Sequence, residues 1–377
     1  MIYFDNAASS KPTRLALDSY AKLAELSFAN AASPHKAGRE ANRYLEEARK
    51  RILKALRLEK THSILFTSGA TEANNLALKG VAFQYANRGK RIISCIAEHS
   101  SVKNALKELQ DQFGFEVVYL PVNSEGKVDP EELKKAMDNQ TILVSLMAVN
   151  NEIGSINDVK TLAAIVHQYP KAYFHVDATQ AIGKEAFDYS CADLLTFSGH
   201  KFGGLKGNGA LCYKKTIKFL PLASGGDQEY GYRSGTVDMP GAYAMSLALE
   251  EALKELPAHK AKAKELMSAL EGGLKENPLI AINSPKDHTP FLVNFSLLKH
   301  KASVILEALS EKEIYVSSHS ACDEKKVDPS ETLLCMGYDE GRADNAIRVS
   351  FSPNNTVEEV ETFLQTLSQI LTEVKTR

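Results

Sequence analysis

The sequence predicts an α/β protein, with a large, mostly parallel, doubly wound sheet and a smaller α+β unit beside it. Three observations carry this prediction. Short apolar runs alternate with amphipathic stretches from about residue 62 to residue 213, which is the spacing of strands joined by crossover helices. A long helical stretch follows Met239-Pro240-Gly241 and leads into further strand and helix segments. A chain of 377 residues with 44% hydrophobic content is long enough to bury two cores.

Taken in order, residues 63–66 read as a strand and 72–87 as a helix. Residues 91–96 and 101–113 repeat the pair. A strand at 115–120 precedes a helix at 129–137, opened by Asp129-Pro130, an N-cap followed by a first-turn proline. A strand at 141–149 and a helix at 159–167 follow, then strands at 172–176, 194–197 and 210–213. In such a sheet, ligands sit at the carboxyl ends of the strands. The helical stretch 242–274 is broken or kinked at Pro257, which lacks a backbone donor. Beyond it, 291–295, 314–316 and 347–351 read as strands, and 302–309 and 357–374 as helices.

Composition narrows the function. Forty-five basic residues against 47 acidic ones give a formal charge of −2. No broad basic surface for nucleic acid or anionic lipid is expected. The start, Met1-Ile2-Tyr3-Phe4-Asp5, lacks the basic, then apolar pattern of a secretory signal. The longest apolar run, near 142–149, is too short to cross a bilayer. Five cysteines with no Cys-x-x-Cys pair argue against a disulfide framework or a thiolate zinc site, and for a reducing cytoplasm. No metal site is expected.

The suspicious motifs of the large unit fall where strands end. In Phe197-Ser198-Gly199-His200-Lys201-Phe202-Gly203-Gly204, a lysine closes an apolar run. Desolvation there lowers an amine's pKa and suits it to Schiff-base chemistry with an aldehyde cofactor. The alternative is a strand-end lysine reaching out to solvent. Thr67-Ser68-Gly69-Ala70-Thr71-Glu72 follows a strand and opens a helix. It reads either as a phosphate seat or as a helix cap made by Ser68 or Thr71. His175-Val176-Asp177 ends a strand with a carboxylate that needs a cationic partner. A protonated pyridine nitrogen fits that need, and a His-x-Asp metal pair is the competing reading. His99, in Glu98-His99, is either a capping or core histidine or a ring for stacking and proton transfer. Cys322 lies in Ser317-Ser318-His319-Ser320-Ala321-Cys322-Asp323, among small and polar residues, and reads as a mobile, solvent-reached thiol. Cys95, Cys191, Cys212 and Cys335 read as packing. Arg348 is placed in a strand to hold a carboxylate by two parallel hydrogen bonds, or else to form a surface ion pair.

Taken together, these pieces resemble the cysteine desulfurases of the NifS/IscS type, a class V aminotransferase group of fold-type I pyridoxal phosphate (PLP) enzymes. The resemblance extends through Tyr3-Phe4-Asp5-Asn6-Ala7-Ala8, Asn30-Ala31-Ala32-Ser33-Pro34-His35, Val149-Asn150-Asn151-Glu152, Asp177-Ala178-Thr179-Gln180 and Arg233-Ser234-Gly235-Thr236, in family order along nearly the whole chain. It implies that Lys201 binds PLP covalently, Asp177 pairs with the ring nitrogen and Gln180 with the ring oxygen. His99 stacks on the ring and serves as acid or base. Ala70, Thr71, Ser198 and His200 hold the phosphate, with Thr236 supplied by the partner of a homodimer. Asn151, which also belongs to the cofactor site, and Arg348 bind the substrate carboxylate.

The implied reaction removes sulfur from L-cysteine, giving L-alanine and a persulfide on Cys322. That sulfur passes to an acceptor protein, an iron–sulfur scaffold or a thiolation carrier, in the cytoplasm. A selenocysteine lyase or a class V aminotransferase of the same fold is the alternative. The resemblance places a large PLP-binding domain at 15–254 and a small domain at 1–14 and 255–377, carrying the Cys322 loop. Departures from the family pattern carry their own expectations. Asn30-Ala31 in place of Asn-Pro loses a rigid turn, and His319 in place of glycine stiffens the Cys322 loop or tunes its thiol. The long segment between Cys322 and Arg348 favours the long-loop branch of the family, and the short C-terminus argues against scaffold docking.

Overall fold

The computed structural model describes residues 1–318 and 329–374. A seven-stranded sheet forms its centre, ordered His62–Thr67, Gly209–Lys214, Leu194–Ser198, Tyr173–Asp177, Thr141–Met147, Arg91–Cys95 and Glu116–Leu120. Gly209–Lys214 runs antiparallel to both of its neighbours, and the remaining pairs are parallel. Thr141–Met147 is buried at every position, as a parallel strand covered on both faces must be. Helices pack on both faces, and two separate apolar clusters result. The alternation read from the sequence is therefore present, with element ends shifted by one or two residues.

Two helices precede the alternation, Arg14–Leu26 and Lys36–Ala55. The second is strongly charged, yet it buries Ala41, Leu45, Ala48 and Ile52, a stripe at four- and three-residue spacing. The turn before it does not lose its shape for want of proline. Asn30 Oδ1 accepts the Ala32 N–H at 2.9 Å, and Asn30 O accepts the Ser33 N–H at 3.0 Å. Gly38 packs directly beneath this turn, where a Cβ would lie 2.3 Å from Ser33 O.

Pro257 ends one helix and opens another. Met239–Lys254 stops just before it, and Leu256–Glu276 carries it in the first turn, where its missing N–H costs nothing. The second sheet is antiparallel, ordered Ser317–Ser318, Ala346–Ser350, Leu292–Leu297 and Ile280–Ile282. The N-terminus joins this half of the molecule. Ile2–Tyr3 pairs in parallel with Ile314–Tyr315, and Phe4 meets Phe351 and Phe363 edge-on at 5.3 and 5.9 Å. Asn6 Nδ2 then donates to Ser350 O at 3.0 Å, and Ala7 N to Ser350 Oγ at 2.8 Å. This anchoring carries Ala7 and Ala8 to the end of the large sheet. Among the described residues, no helix is long and apolar enough to cross a membrane.

Candidate active site

A cavity of about 380 Å³ opens where the strands of the large sheet end. Asp177, the last residue of Tyr173–Asp177, is only 5% exposed. Its Oδ2 accepts from Asn74 Nδ2 at 2.8 Å and its Oδ1 from the Thr179 N–H at 2.9 Å. Two residues upstream, His175 is fully buried, with Ser145 Oγ 2.8 Å from Nδ1 and Thr196 Oγ1 3.0 Å from Nε2. Both ring nitrogens are engaged, so the His-x-Asp pair is not a metal site.

Burial pushes His175 down to about 4, with Asp177 opposing weakly. An unfolded histidine takes up its proton near pH 6.5, so the unfolded state binds more protons below that value. Stability is expected to fall by roughly 3 kcal/mol per molecule on this account as pH drops from 6.5 to 4. Melting midpoints measured across that range check it. His175→Gln removes this part of the acid slope, and an unchanged slope would contradict the assignment.

The phosphate-like seat lies beside this carboxylate. Gly69 begins the helix Ala70–Tyr85, and neither Ser68 nor Thr71 caps it. The Ser68 N–H instead donates to Glu72 Oε2 at 2.7 Å, and Ala70 N donates to Ser198 Oγ at 2.7 Å. A Cβ on Gly209 would fall 2.5 Å from the Gly69 Cα, so the close approach of these two backbones requires glycine there. Uncapped N–H groups, the helix dipole and the Thr71 and His200 side chains form an anion cradle.

Lys201 leaves the sheet through the short turn Gly199–Lys201. It is half-buried rather than enclosed in apolar side chains, because the apolar run ends at Ser198. Its Nζ donates to Ala7 O at 2.6 Å and Ala8 O at 2.8 Å. Gln180 Nε2 donates to the same Ala7 O at 2.8 Å, and Gln180 Oε1 accepts from Lys184 Nζ at 2.9 Å. Burial holds the Lys184 ammonium down at about 7, and the charges of Lys201 and Arg348 push the same way.

His99 caps the helix Ser100–Phe113, its Nδ1 accepting the Ser101 N–H at 3.2 Å, and also lines the cavity. The capping reading of this residue therefore holds, and the ring also borders the cavity. Burial keeps its imidazole below the ordinary value, with Asp177 opposing and Lys201, Lys103 and Arg348 assisting. Its neighbour Glu98 turns into the core, where burial raises its carboxyl well above the usual range.

Arg348 is 3% exposed and so is not a surface ion pair. Its Nη1 donates to Asn151 O at 2.9 Å and its Nη2 to Asp5 Oδ1 at 3.0 Å, while Nε has no partner among the described residues. The guanidinium faces the cavity that Asn151 also lines.

Ala70, Thr71, His99, Asn151, Asp177, Gln180, Ser198, His200, Lys201 and Arg348 therefore share one cavity, although they come from widely separated parts of the chain. Thr236 does not line it and is exposed. Its loop is hooked to the anion cradle by Arg233, whose Nε donates to Glu72 Oε1 at 2.7 Å. Cys322 and His319 lie outside the described residues. Cys95 and Cys212 are buried as expected, whereas Cys191 and Cys335 are half-buried at the edges of their elements. Sequence reasoning missed Asn74, Lys184 and Asp5. The first two stand four residues beyond Ala70 and Gln180, a helical-turn spacing that offered a signal.

The chain matches the family Aminotransferase class-V over residues 2–363. It is 40% identical over 378 aligned residues to a NifS/IcsS protein homolog of Lactobacillus delbrueckii, covering 98% of this chain and 97% of that protein. It is 36% identical to the cysteine desulfurase IscS of Dictyoglomus turgidum, covering 100% and 95%. A solved NifS-like protein superposes with a TM-score of 0.92 at 36% identity, covering 99% of this chain and 100% of that one. The chain belongs to the class V aminotransferase family and, within it, to the cysteine desulfurases of the NifS/IscS type.

Proposed function

We propose that this protein removes sulfur from L-cysteine, releases L-alanine and keeps the sulfur as a persulfide on Cys322. The observation that carries the proposal is the single cavity in which a buried carboxylate, an amine, an imidazole, an anion cradle and a buried guanidinium converge. That set fits PLP. Asp177 suits a protonated ring nitrogen, the uncapped helix start suits the phosphate, and Lys201 is the amine beside both. Bound there, PLP supplies an electron sink for charge released at the carbon next to the substrate amine.

The protein's own groups do the rest. Arg348 binds the substrate carboxylate, taking it in place of Asp5, and Asn151 helps hold it. Lys201, close to two carbonyls that accept its hydrogens, takes and returns the proton at the substrate carbon. His99 lines the same cavity and serves as acid or base. The carbon–sulfur bond of cysteine breaks, and the sulfur joins Cys322. Cysteine and an enzyme thiol become alanine and an enzyme persulfide, a balance that needs no external oxidant.

Further parts of the reading rest on family membership and on surface features. The large domain spans 15–254, and residues 1–14 and 255–377 form the small one. The protein works as a cytoplasmic homodimer in which Thr236 reaches the partner's phosphate. The exposure of Thr236 supports the homodimer, as do Leu26 and Phe28, which are 67% and 85% exposed at the end of the first helix and just beyond it. An iron–sulfur scaffold or a thiolation carrier receives the sulfur.

The test is incubation of purified protein with L-cysteine. One alanine per sulfur removed and a one-sulfur mass gain on the Cys322 peptide are expected. Alanine without that mass gain would move the protein to lyase chemistry. No alanine from PLP-loaded protein would sink the proposal.

A further inference from the structure

Asn74 has no solvent exposure and stands behind the cavity rather than in it. Its amide is fully committed. Nδ2 donates to Asp177 Oδ2 at 2.8 Å and to Ser101 Oγ at 2.9 Å, and Oδ1 accepts from Thr196 Oγ1 at 2.5 Å.

The hydrogens along this network have a direction that the partners fix. The Ser101 backbone N–H can only donate, so His99 Nδ1 offers a lone pair and the ring proton sits on Nε2. Ser101 Oγ accepts from Asn74, which leaves its own hydrogen for His99 Nδ1, 2.9 Å away. On the other side, Thr196 spends its hydrogen on Asn74 and so accepts from His175 Nε2. His175 Nδ1 then accepts from Ser145 Oγ. Donors run from Ser145 through His175, Thr196 and Asn74, then split. One branch ends on the Asp177 carboxylate and the other on His99.

We propose that Asn74 is a positioning residue that couples the two working groups of the site. One buried amide donates to the Asp177 carboxylate and, by donating to Ser101 Oγ, turns that hydroxyl's hydrogen toward His99 Nδ1, where it reinforces the Nε2–H tautomer that the Ser101 backbone N–H favours. The proposal rests on the functional reading above for the roles of Asp177 and His99. The geometry of the network stands without it. A side chain that donates on both branches is needed. Aspartate at this position would set a second carboxylate against Asp177, and leucine would leave the buried Thr196 hydroxyl and Ser101 without their partner.

The test combines nitrogen NMR of histidine-labelled protein with PLP affinity measured by equilibrium dialysis, and neither depends on turnover. His99 in the wild type is expected as a neutral ring protonated at Nε2. Asn74→Leu is expected to shift the His99 Nδ1 resonance, because the Ser101 hydroxyl loses the partner that aims its hydrogen at that nitrogen, and to weaken PLP binding about tenfold or more. Ser101→Ala breaks only the His99 branch, so it should change the ring while keeping the larger part of the affinity. Should Asn74→Leu fail to fold, Thr196→Val frees the amide to rotate and is expected to move both readouts in the same directions. A wild type that binds PLP but carries the His99 proton on Nδ1 overturns the proposal. So does an Asn74→Leu or Thr196→Val protein in which neither readout moves. A folded wild type that binds no PLP would instead overturn the functional reading and leave the tautomer result intact.

Discussion

Cys322→Ala is expected to cut alanine production from cysteine by on the order of 10³-fold or more, with PLP binding retained. The reason is that no other described thiol can take its place. Cys212 is fully buried, and burial pushes Cys95 up to about 12, so neither offers a thiolate near neutrality. Burial also raises Cys335 and Cys191, and the Cys191 Sγ donates to Asp188 O at 3.0 Å. None of these four lines the cavity. Cys322, by contrast, follows Ser317 by only five positions in the sequence. Ser317 pairs in register with Arg348, which borders the cavity. The check is alanine yield and the PLP absorbance of the variant side by side. Alanine production at the wild-type rate would refute the sulfur-acceptor role of Cys322.

The strand ends were the legible part of the site. Strand-ending motifs such as His175-Val176-Asp177 and Ser198-Gly199-His200-Lys201 deliver side chains to the edge of a parallel sheet, and position along the chain predicts that delivery. Arg348 was legible as a cation on a strand, though not as a buried one, because its partner Asp5 comes from the far end of the chain. The cradle of Lys201 left no trace in sequence, since it consists of the carbonyls of Ala7 and Ala8, and every residue carries a carbonyl. The amine was expected in dry, apolar surroundings. It instead lies half-buried over those carbonyls, because the apolar character belongs to the strand and stops with it. Asn74 reads as an ordinary helix residue until the fold brings Asp177, Ser101 and Thr196 to its one amide. Pro257 marked a boundary correctly, whereas the turn at Asn30 shows a side-chain oxygen replacing what a proline ring would have imposed.

Lys201→Ala is expected to abolish covalent PLP attachment and to lower alanine production by at least about 10³-fold. The position tests the site more sharply than a lone lysine would, because a second amine is close. Lys184 is buried, and at about 7 a large part of it is neutral near physiological pH, which is the state an amine needs to attack an aldehyde. Geometry argues against substitution. Lys184 Nζ is held by Gln180 Oε1 at 2.9 Å, and Lys184 does not line the cavity that contains Asp177, the anion cradle and Lys201. Its partner Gln180 is in turn fixed on Ala7 O. Removing Lys201 takes one positive charge away from Lys184, so its pKa rises and a smaller fraction of the amine is neutral and able to attack. Borohydride treatment followed by peptide mass analysis decides the matter. In the wild type the cofactor mass should appear on the Lys201 peptide, and in Lys201→Ala it should appear nowhere. Cofactor fixed on the Lys184 peptide in the wild type would show that the wrong lysine had been assigned.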